Sequence, residues 1–261
     1  MAILLKSPEE IKQLEHANRV LRDILDKLEP LAGAGRTGRE LADRFESHAR
    51  QAGAIPAFKM YQRSSQSRPF PAACCISVNS VLTHGVPSDR YFRPGDLVKV
   101  DAGISLNGWF ADAARTWCVE PAESEVQKVA TAVRAIFMTT IAQCYAGNSW
   151  WNVRSAATRK AEELGCFLVP DVAGHGIGRR LHEEPSLPLA LSKPSSIDEL
   201  ILREGMVLAI EPVVSTGSTQ LVRHLDGFGL ETSDGSIGAH YEECIAIRAI
   251  ESGGLCRLNG L

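Results

Sequence analysis

Residues 97–119 read LVKVDAGISLNGWFADAARTWCV, and the architecture follows from the dipeptide in the middle of that run. Apolar and small residues alternate on either side of Asn107-Gly108, the strongest short-range signal for a β-hairpin, because both turn positions of a type I′ turn need a left-handed backbone. With Asn107-Gly108 as a two-residue turn, Leu106 faces Trp109, Gly103 faces Asp112, and Asp101 lies two places along. The two aspartates then project from one face as diagonal cross-strand neighbours, roughly 7–8 Å apart at the backbone. Like charges facing one another need a cation or a shared proton. An aspartate is usually a turn or surface acid. That reading is uncomfortable for Asp101, which is flanked by Val100 and Ala102 in an apolar strand where an unpaired carboxylate is costly.

Outward from the hairpin, the periodicity predicts helices over 7–30 and 37–53, joined by the glycine-bearing turn 32–36 with Thr37 as N-cap. A polar loop over 62–71 leads into a strand at 74–79, CCISVN. Helices are expected again over 123–145 and 150–165, followed by strand-like FLVPDV at 167–172 and a Pro/Ser-rich connection over 185–196. The last third is mostly strand: MVLAIEPVV at 206–214, LVRHLDGFGLETSD at 221–234 and AHYEECIAIRAI at 239–250. Helices before strands, twice over, predict an α+β protein whose residues 1–261 form a single domain of two similar halves.

Composition narrows the function. Of 261 residues 44% are hydrophobic, enough for a sizeable core, and the formal net charge of −3 is spread without a basic stripe, which argues against nucleic-acid partners. No run of about 18 apolar residues exists, so no membrane span is expected, and the apolar run before Lys6 is too short for a signal-peptide core. Seven cysteines, an odd number without a CxxC pair, point to reduced thiols and a cytoplasmic location.

Two further acids repeat the anomaly of Asp101. Glu211 follows the core-like run Met206–Ile210 and precedes Pro212; Glu242 stands just ahead of the apolar 244–247. Between these regions lies GHGIGRRLHEEP, residues 174–185. It is not a dinucleotide loop, because its third glycine comes one place too early, and no Gly-Lys-Ser/Thr makes it a P-loop. It is not a zinc-protease helix either: Ser186 stands where the second histidine belongs, and Pro185 would break the helix. What remains is a loop whose glycines let the backbone turn tightly around His175. An isolated histidine is most often a hydrogen-bonded core or surface residue, and only convergence with other ligand-type residues changes that. Four carboxylates at strand edges and a glycine-flanked histidine are the ligand set expected of a centre of two divalent metal ions. Mn, Fe, Co and Zn all suit it. Two ions about 3.5–4 Å apart would hold a bridging water, lower its pKa and polarise a carbonyl, which implies hydrolysis.

Taken in order, CISVNSVLTHGVP (75–87), the Asp101–Asp112 hairpin, GHGIGRRLHEEP, AIEP (209–212) and HYEE (240–243) resemble the type I methionine aminopeptidases of the pita-bread fold along nearly the whole chain. The resemblance implies a pseudo-twofold domain with helices outside an antiparallel sheet. It also implies metal ligands Asp101, Asp112, His175, Glu211 and Glu242, with Asp112 and Glu242 bridging. By matching motif, His84 and His182 are the non-ligand histidines that contact substrate and stabilise the tetrahedral intermediate, and Glu211 shuttles the proton. Tyr61, Cys75, Leu181 and Phe228 fall, with the two histidines, in the substrate-binding set. The implied substrate is the N-terminus of a peptide or nascent chain, met by a monomeric enzyme that associates with the ribosome.

The surroundings depart from that family. The loop 62–71 replaces a compact Gly-Tyr-His-Gly-Phe-Pro segment, Leu181 stands where Phe is common, and Phe228 where Trp is usual, all around the expected methionine pocket. Gly103 replaces Thr, and Ala113-Ala114 replaces Thr-Ser; VDAG and ADAART resemble the Xaa-Pro aminopeptidase and prolidase branch. His240 and Glu243 replace Gln and His on either side of Tyr241-Glu242. The alternatives are therefore a paralogue with altered first-residue or Xaa-Pro specificity, or a non-catalytic peptide-binding relative. Against them, the chain lacks the extra N-terminal domain of the proline branch and keeps all five ligand positions.

Overall fold

Ser7 opens the first helix, Pro8–Leu28. Its hydroxyl accepts the Glu10 N–H while the Glu10 carboxylate accepts the Ser7 N–H. Thr37 and Glu40 make the same reciprocal pair at the start of Gly38–Gln51. Both boxes satisfy N–H groups that a helix start leaves without partners. Ile11, Leu14, Leu21, Leu25 and Leu28 fall on one stripe and are buried, each worth about 1.5–3 kcal/mol of apolar burial. That stripe lies across the hairpin. The computed structural model in which these features are seen describes residues 2–62, 64–191, 196–249 and 255–258.

The hairpin has the predicted register. Strands Leu97–Leu106 and Trp109–Cys118 pair Leu106 with Trp109, Gly103 with Asp112 and Asp101 with Ala114. Asn107 and Gly108 take φ of 52° and 77°. On its other edge, Leu97–Leu106 pairs with Cys75–Val78 and Ile55–Pro56. Residues 97–104 are all buried, so this strand is covered on both faces.

The second half repeats the order. Helices Ser124–Ile141 and Trp150–Glu163 precede a five-stranded antiparallel sheet ordered Leu255–Arg257, Glu243–Ile247, Val207–Ile210, Ala173–Gly176 and Glu183–Pro188. Two backbone hydrogen bonds stitch the halves together: Ala114 N–H to Glu242 O at 3.2 Å and Glu242 N–H to Ala114 O at 3.0 Å. They place Glu242 directly against the aspartate hairpin.

Several expectations change in detail. The run 206–214 is not one strand: Pro212 lacks a donor N–H, and the chain leaves the large sheet after Ile210 and joins Gly238–His240 in another through Val213–Ser215. Glu211 is delivered at that switch, opposite Glu242, which sits at the matching break between Gly238–His240 and Glu243–Ile247. The 185–196 connection begins later than expected, because Glu183–Pro188 is a strand, and 192–195 lie outside the described residues. Its prolines are tolerated because it is the edge of its sheet. The third helix stops at Ile141 rather than 145, where Gln143 and Cys144 turn back onto Thr140 and Ile141. Of 167–172 only Phe167–Leu168 is strand. Ile250, the end of the last predicted strand run, is outside the described residues.

The glycines around His175 serve close approach rather than a turn. A Cβ at Gly174 would collide with the Ala209 carbonyl, and one at Gly176 with the Glu184 carbonyl. GHGIGRRLHEEP is thus a hairpin whose first strand, Ala173–Gly176, is squeezed between Val207–Ile210 and Glu183–Pro188. Cys74, Cys75, Cys118, Cys144, Cys166 and Cys244 are free thiols, and no helix of the described residues is long and apolar enough to cross a membrane.

Candidate metal centre

The two sheet switches and the hairpin converge at one point. Donor atoms of Asp112, His175 and Glu242 lie within 4.8 Å of one another, and so do those of Glu211, His240 and Glu242. Glu242 belongs to both triplets. The His175 Nε2 is 3.7 Å from Asp112 Oδ2 and 4.0 Å from Glu211 Oε1; the His240 Nε2 is 3.7 Å from Glu211 Oε2 and 3.8 Å from Glu242 Oε2. Asp101 belongs to neither triplet. Its buried carboxylate is close enough to raise the pKa of Asp112, Glu211 and Glu242.

Burial and mutual repulsion make this cluster hostile to its own charge. Burial pushes Asp101 up to about 7. Asp112 is driven well above the carboxylate range by burial first, then by Glu242, Asp101 and Glu211. Glu211 and Glu242 are raised for the same reasons. His175 is the opposite case: burial lowers it to about 4, so the ring is neutral. Its Nδ1 lies 2.9 Å from the Gly176 carbonyl, which can only accept, so Nδ1 carries the proton and Nε2 presents a lone pair to the carboxylates.

Beside the carboxylates lies a packed apolar cluster. Leu181, Cys75, Phe58 and Phe70 are its buried members, with Tyr61, Phe110 and Phe228 packed against them. Four residues expected there from sequence, Tyr61, Cys75, Leu181 and Phe228, are thus brought together. The Tyr61 hydroxyl is 2.6 Å from His182 Nδ1, and the His182 ring lies 4.2 Å from that of His175, centroid to centroid. His84, at φ 59°, follows strand Val81–Thr83 and approaches His240 closely enough to disfavour its protonation.

Residues 12–249 match metallopeptidase family M24. The chain belongs to that family. It is 36% identical to the methionine aminopeptidase of Clostridium perfringens over 246 residues, 94% of this chain and 95% of that one. The crystal structure of methionine aminopeptidase from Thermotoga maritima matches at TM-score 0.91 with 30% identity and covers 100% of both chains. Prolidase from Pyrococcus furiosus matches at TM-score 0.74 with 25% identity, over 98% of this chain and 65% of that one. The α+β pita-bread architecture expected from the sequence is the one these structures share.

As an M24 metallopeptidase the protein works with divalent metal ions, and its donor set fits them. Asp112 Oδ1 is buried without a hydrogen-bond partner among the described residues, and so are both ring nitrogens of His240. Oxygen donors with imidazole suit first-row divalent ions, and cations there would offset the carboxylate repulsion.

The departures from the family pattern acquire physical reasons. A Cβ at Gly103 would sit 2.7 Å from the Phe58 ring, so the residue that replaces Thr makes room for an aromatic of that apolar cluster. The long loop folds back onto Phe228: Phe70 packs edge-on against it at 5.4 Å, and the Arg68 guanidinium lies 4.9 Å from the same ring. Glu243 is the hub of a buried ion cluster with Arg115 and Arg257. Glu183 in HEEP binds Lys6 at 2.6 Å in a buried pair and accepts the Arg180 N–H, which latches the histidine hairpin to the N-terminal segment.

Sequence reasoning missed Phe58, Phe70, Lys6 with Glu183, and the nearness of His240 to the carboxylates. It also passed over Lys99, buried on the Asp101 face, whose Nζ donates to the Asn79 carbonyl at 2.6 Å. A lysine in an apolar run was the available signal for that last residue.

Proposed function

We infer that this M24 protein is a methionine aminopeptidase, hydrolysing the first peptide bond of a peptide or nascent chain and releasing N-terminal methionine. The observation that carries the reading is the buried cluster of Asp112, His175, Glu211 and Glu242 set beside an apolar group of side chains that includes Leu181, Cys75, Phe58 and Phe70. In this reading Asp101, Asp112, His175, Glu211 and Glu242 would hold two divalent ions. When bound, the ions supply Lewis acidity and a water of lowered pKa.

The chain's own residues do the rest. Glu211 has the most exposed side chain of the four carboxylates, at 12%, so it can accept the proton of the attacking water and return it to the leaving amine. In the His182 tautomer whose Nδ1 accepts from the Tyr61 hydroxyl, 2.6 Å away, Nε2 carries the proton and donates to the developing oxyanion. His84 contacts the substrate backbone from the other side. Leu181, Cys75, Phe70 and Phe228 exclude water around the first side chain. The protein acts as a cytoplasmic monomer that meets its substrates at the ribosome.

A panel of short peptides varied at the first and second residues, run with Mn, Fe, Co and Zn in turn, tests this. Metal-dependent release of methionine ahead of other first residues is expected. Equal cleavage of other first residues, or cleavage only before proline, would assign the chain to a paralogue of different specificity; metal binding without cleavage would leave a peptide-binding relative.

A further inference from the structure

We propose that His240 is itself a metal ligand, so that the centre has an imidazole at each end rather than one in total. The proposal rests on the metal-dependent reading above and adds a donor to its ligand set.

The His240 ring is 1% exposed, and neither Nδ1 nor Nε2 has a hydrogen-bond partner among the described residues. A buried imidazole with both nitrogens unsatisfied is costly unless something else occupies them. The carboxylates that face Nε2 are too far to do so: it is 3.7 Å from Glu211 Oε2 and 3.8 Å from Glu242 Oε2, beyond hydrogen-bond range. Those separations instead suit donor atoms sharing one ion, since bonds of about 2.0–2.2 Å place neighbouring ligands between 3 and 4 Å apart. The His175 Nε2 stands at comparable distances from its carboxylates.

The arrangement is close to symmetric about Glu211. One of its oxygens, Oε1, faces His175 and the other, Oε2, faces His240, while Glu242 completes both triplets. His240 is also held firmly enough to serve. Its N–H donates to the Thr116 hydroxyl at 3.0 Å, that hydroxyl donates to the His240 carbonyl at 2.7 Å, and its strand pairs with Val213–Ser215. The ring is therefore presented from a frame shared by the hairpin and the second-half strands. An imidazole is a stronger donor to first-row divalent ions than the amide common at this position. The second ion should accordingly bind this chain more tightly than it would a Gln-bearing centre.

The test loads the full-length protein with Co(II) or Zn(II) and counts imidazole scatterers by X-ray absorption, with metal-binding isotherms for the native protein and His240→Gln. One imidazole per metal on average is expected in the native protein and one per two metals in the variant. Affinity for the more weakly held ion should fall by more than the roughly 10–100-fold typical of losing an outer-sphere partner, and the other ion should change little. Should the variant fail to fold, nitrogen hyperfine spectra of the native protein loaded with Mn(II) decide the same point: two inequivalent imidazoles support the proposal. A native centre that binds metal and cleaves peptides but shows only one imidazole overturns this inference alone. That outcome also covers a water bridging His240 to the carboxylates. A native protein that binds no divalent ion overturns both readings.

Discussion

Glu242 and Glu243 are neighbours in sequence, both 2% exposed or less, and they live in opposite electrostatic worlds. Glu243 faces Arg115 at 2.9 Å and Arg257 at 2.6 Å, and it accepts the Tyr241 hydroxyl at 2.7 Å, so its charge is neutralised within the chain. Glu242 faces Asp112 and Glu211, and burial first, then the charge of Asp101, drives its pKa up, with Arg115 offering only a partial counterweight. A buried acid with its own cations is a structural element; a buried acid among other acids is a request for a cation from outside. Successive side chains of extended backbone point to opposite sides, so one peptide bond would separate fold maintenance from the proposed metal chemistry.

The largest effect should come from breaking the metal side. Glu242→Gln removes one negative charge from both triplets, so peptide release should fall by at least about 10³-fold, roughly 4 kcal/mol of transition-state stabilisation. The same change should raise the melting temperature of the metal-free protein, because it relieves repulsion, and should shrink the stabilisation that added metal gives. Calorimetric scans with and without Mn, beside steady-state rates, measure all three. A metal-free variant less stable than the native protein would mean that Glu242 is held by partners inside the chain after all.

Glu243→Gln probes the other face. It leaves Arg115 and Arg257 partly uncompensated in the interior, which costs about 3–5 kcal/mol and, at a few degrees per kcal/mol for a chain of this size, roughly 10 °C of melting temperature. Metal stoichiometry should stay as in the native protein. Loss of bound metal in a variant that remains folded would show that the two faces are one unit.

How much of this contrast can be read from sequence depends on how local its cause is. The convergence of Asp101 and Asp112 follows from counting residues back from Asn107-Gly108, and the exposure of Glu211 to the site follows from Pro212 interrupting a strand. Both are consequences of period and turn chemistry. His240 gives no such signal: its place depends on Gly238–His240 leaving one sheet for another and on the Thr116 hydroxyl that holds it. Glu183–Pro188 reads as a connection because prolines are rare in strands, and only the sheet order shows that it occupies a tolerant edge. The loop over 62–71 is recognisable as a loop, yet the return of Phe70 and Arg68 onto Phe228 is a tertiary event with no periodicity to announce it.

Tyr241→Phe is the mildest and sharpest test, because Tyr241 lies on the boundary. Its hydroxyl serves Glu243, its ring is covered by the Arg115 guanidinium at 4.5 Å and packs against Phe137 at 4.9 Å, and its peptide carries Glu242. Burial, with only partial opposition from Arg115, holds the phenol pKa above its usual value, so the hydroxyl is a donor throughout the working pH range. The substitution keeps the ring contacts and deletes one hydrogen bond to a carboxylate oxygen that still accepts from Arg115. Denaturant unfolding should therefore show a loss of about 1–2 kcal/mol with an unchanged m-value, and peptide release should stay within a few-fold of native. If rates fall by tenfold or more while stability holds, the hydroxyl is positioning Glu242 through the intervening backbone. The neutralised face would then be part of the catalytic apparatus, and Glu243 would belong with it.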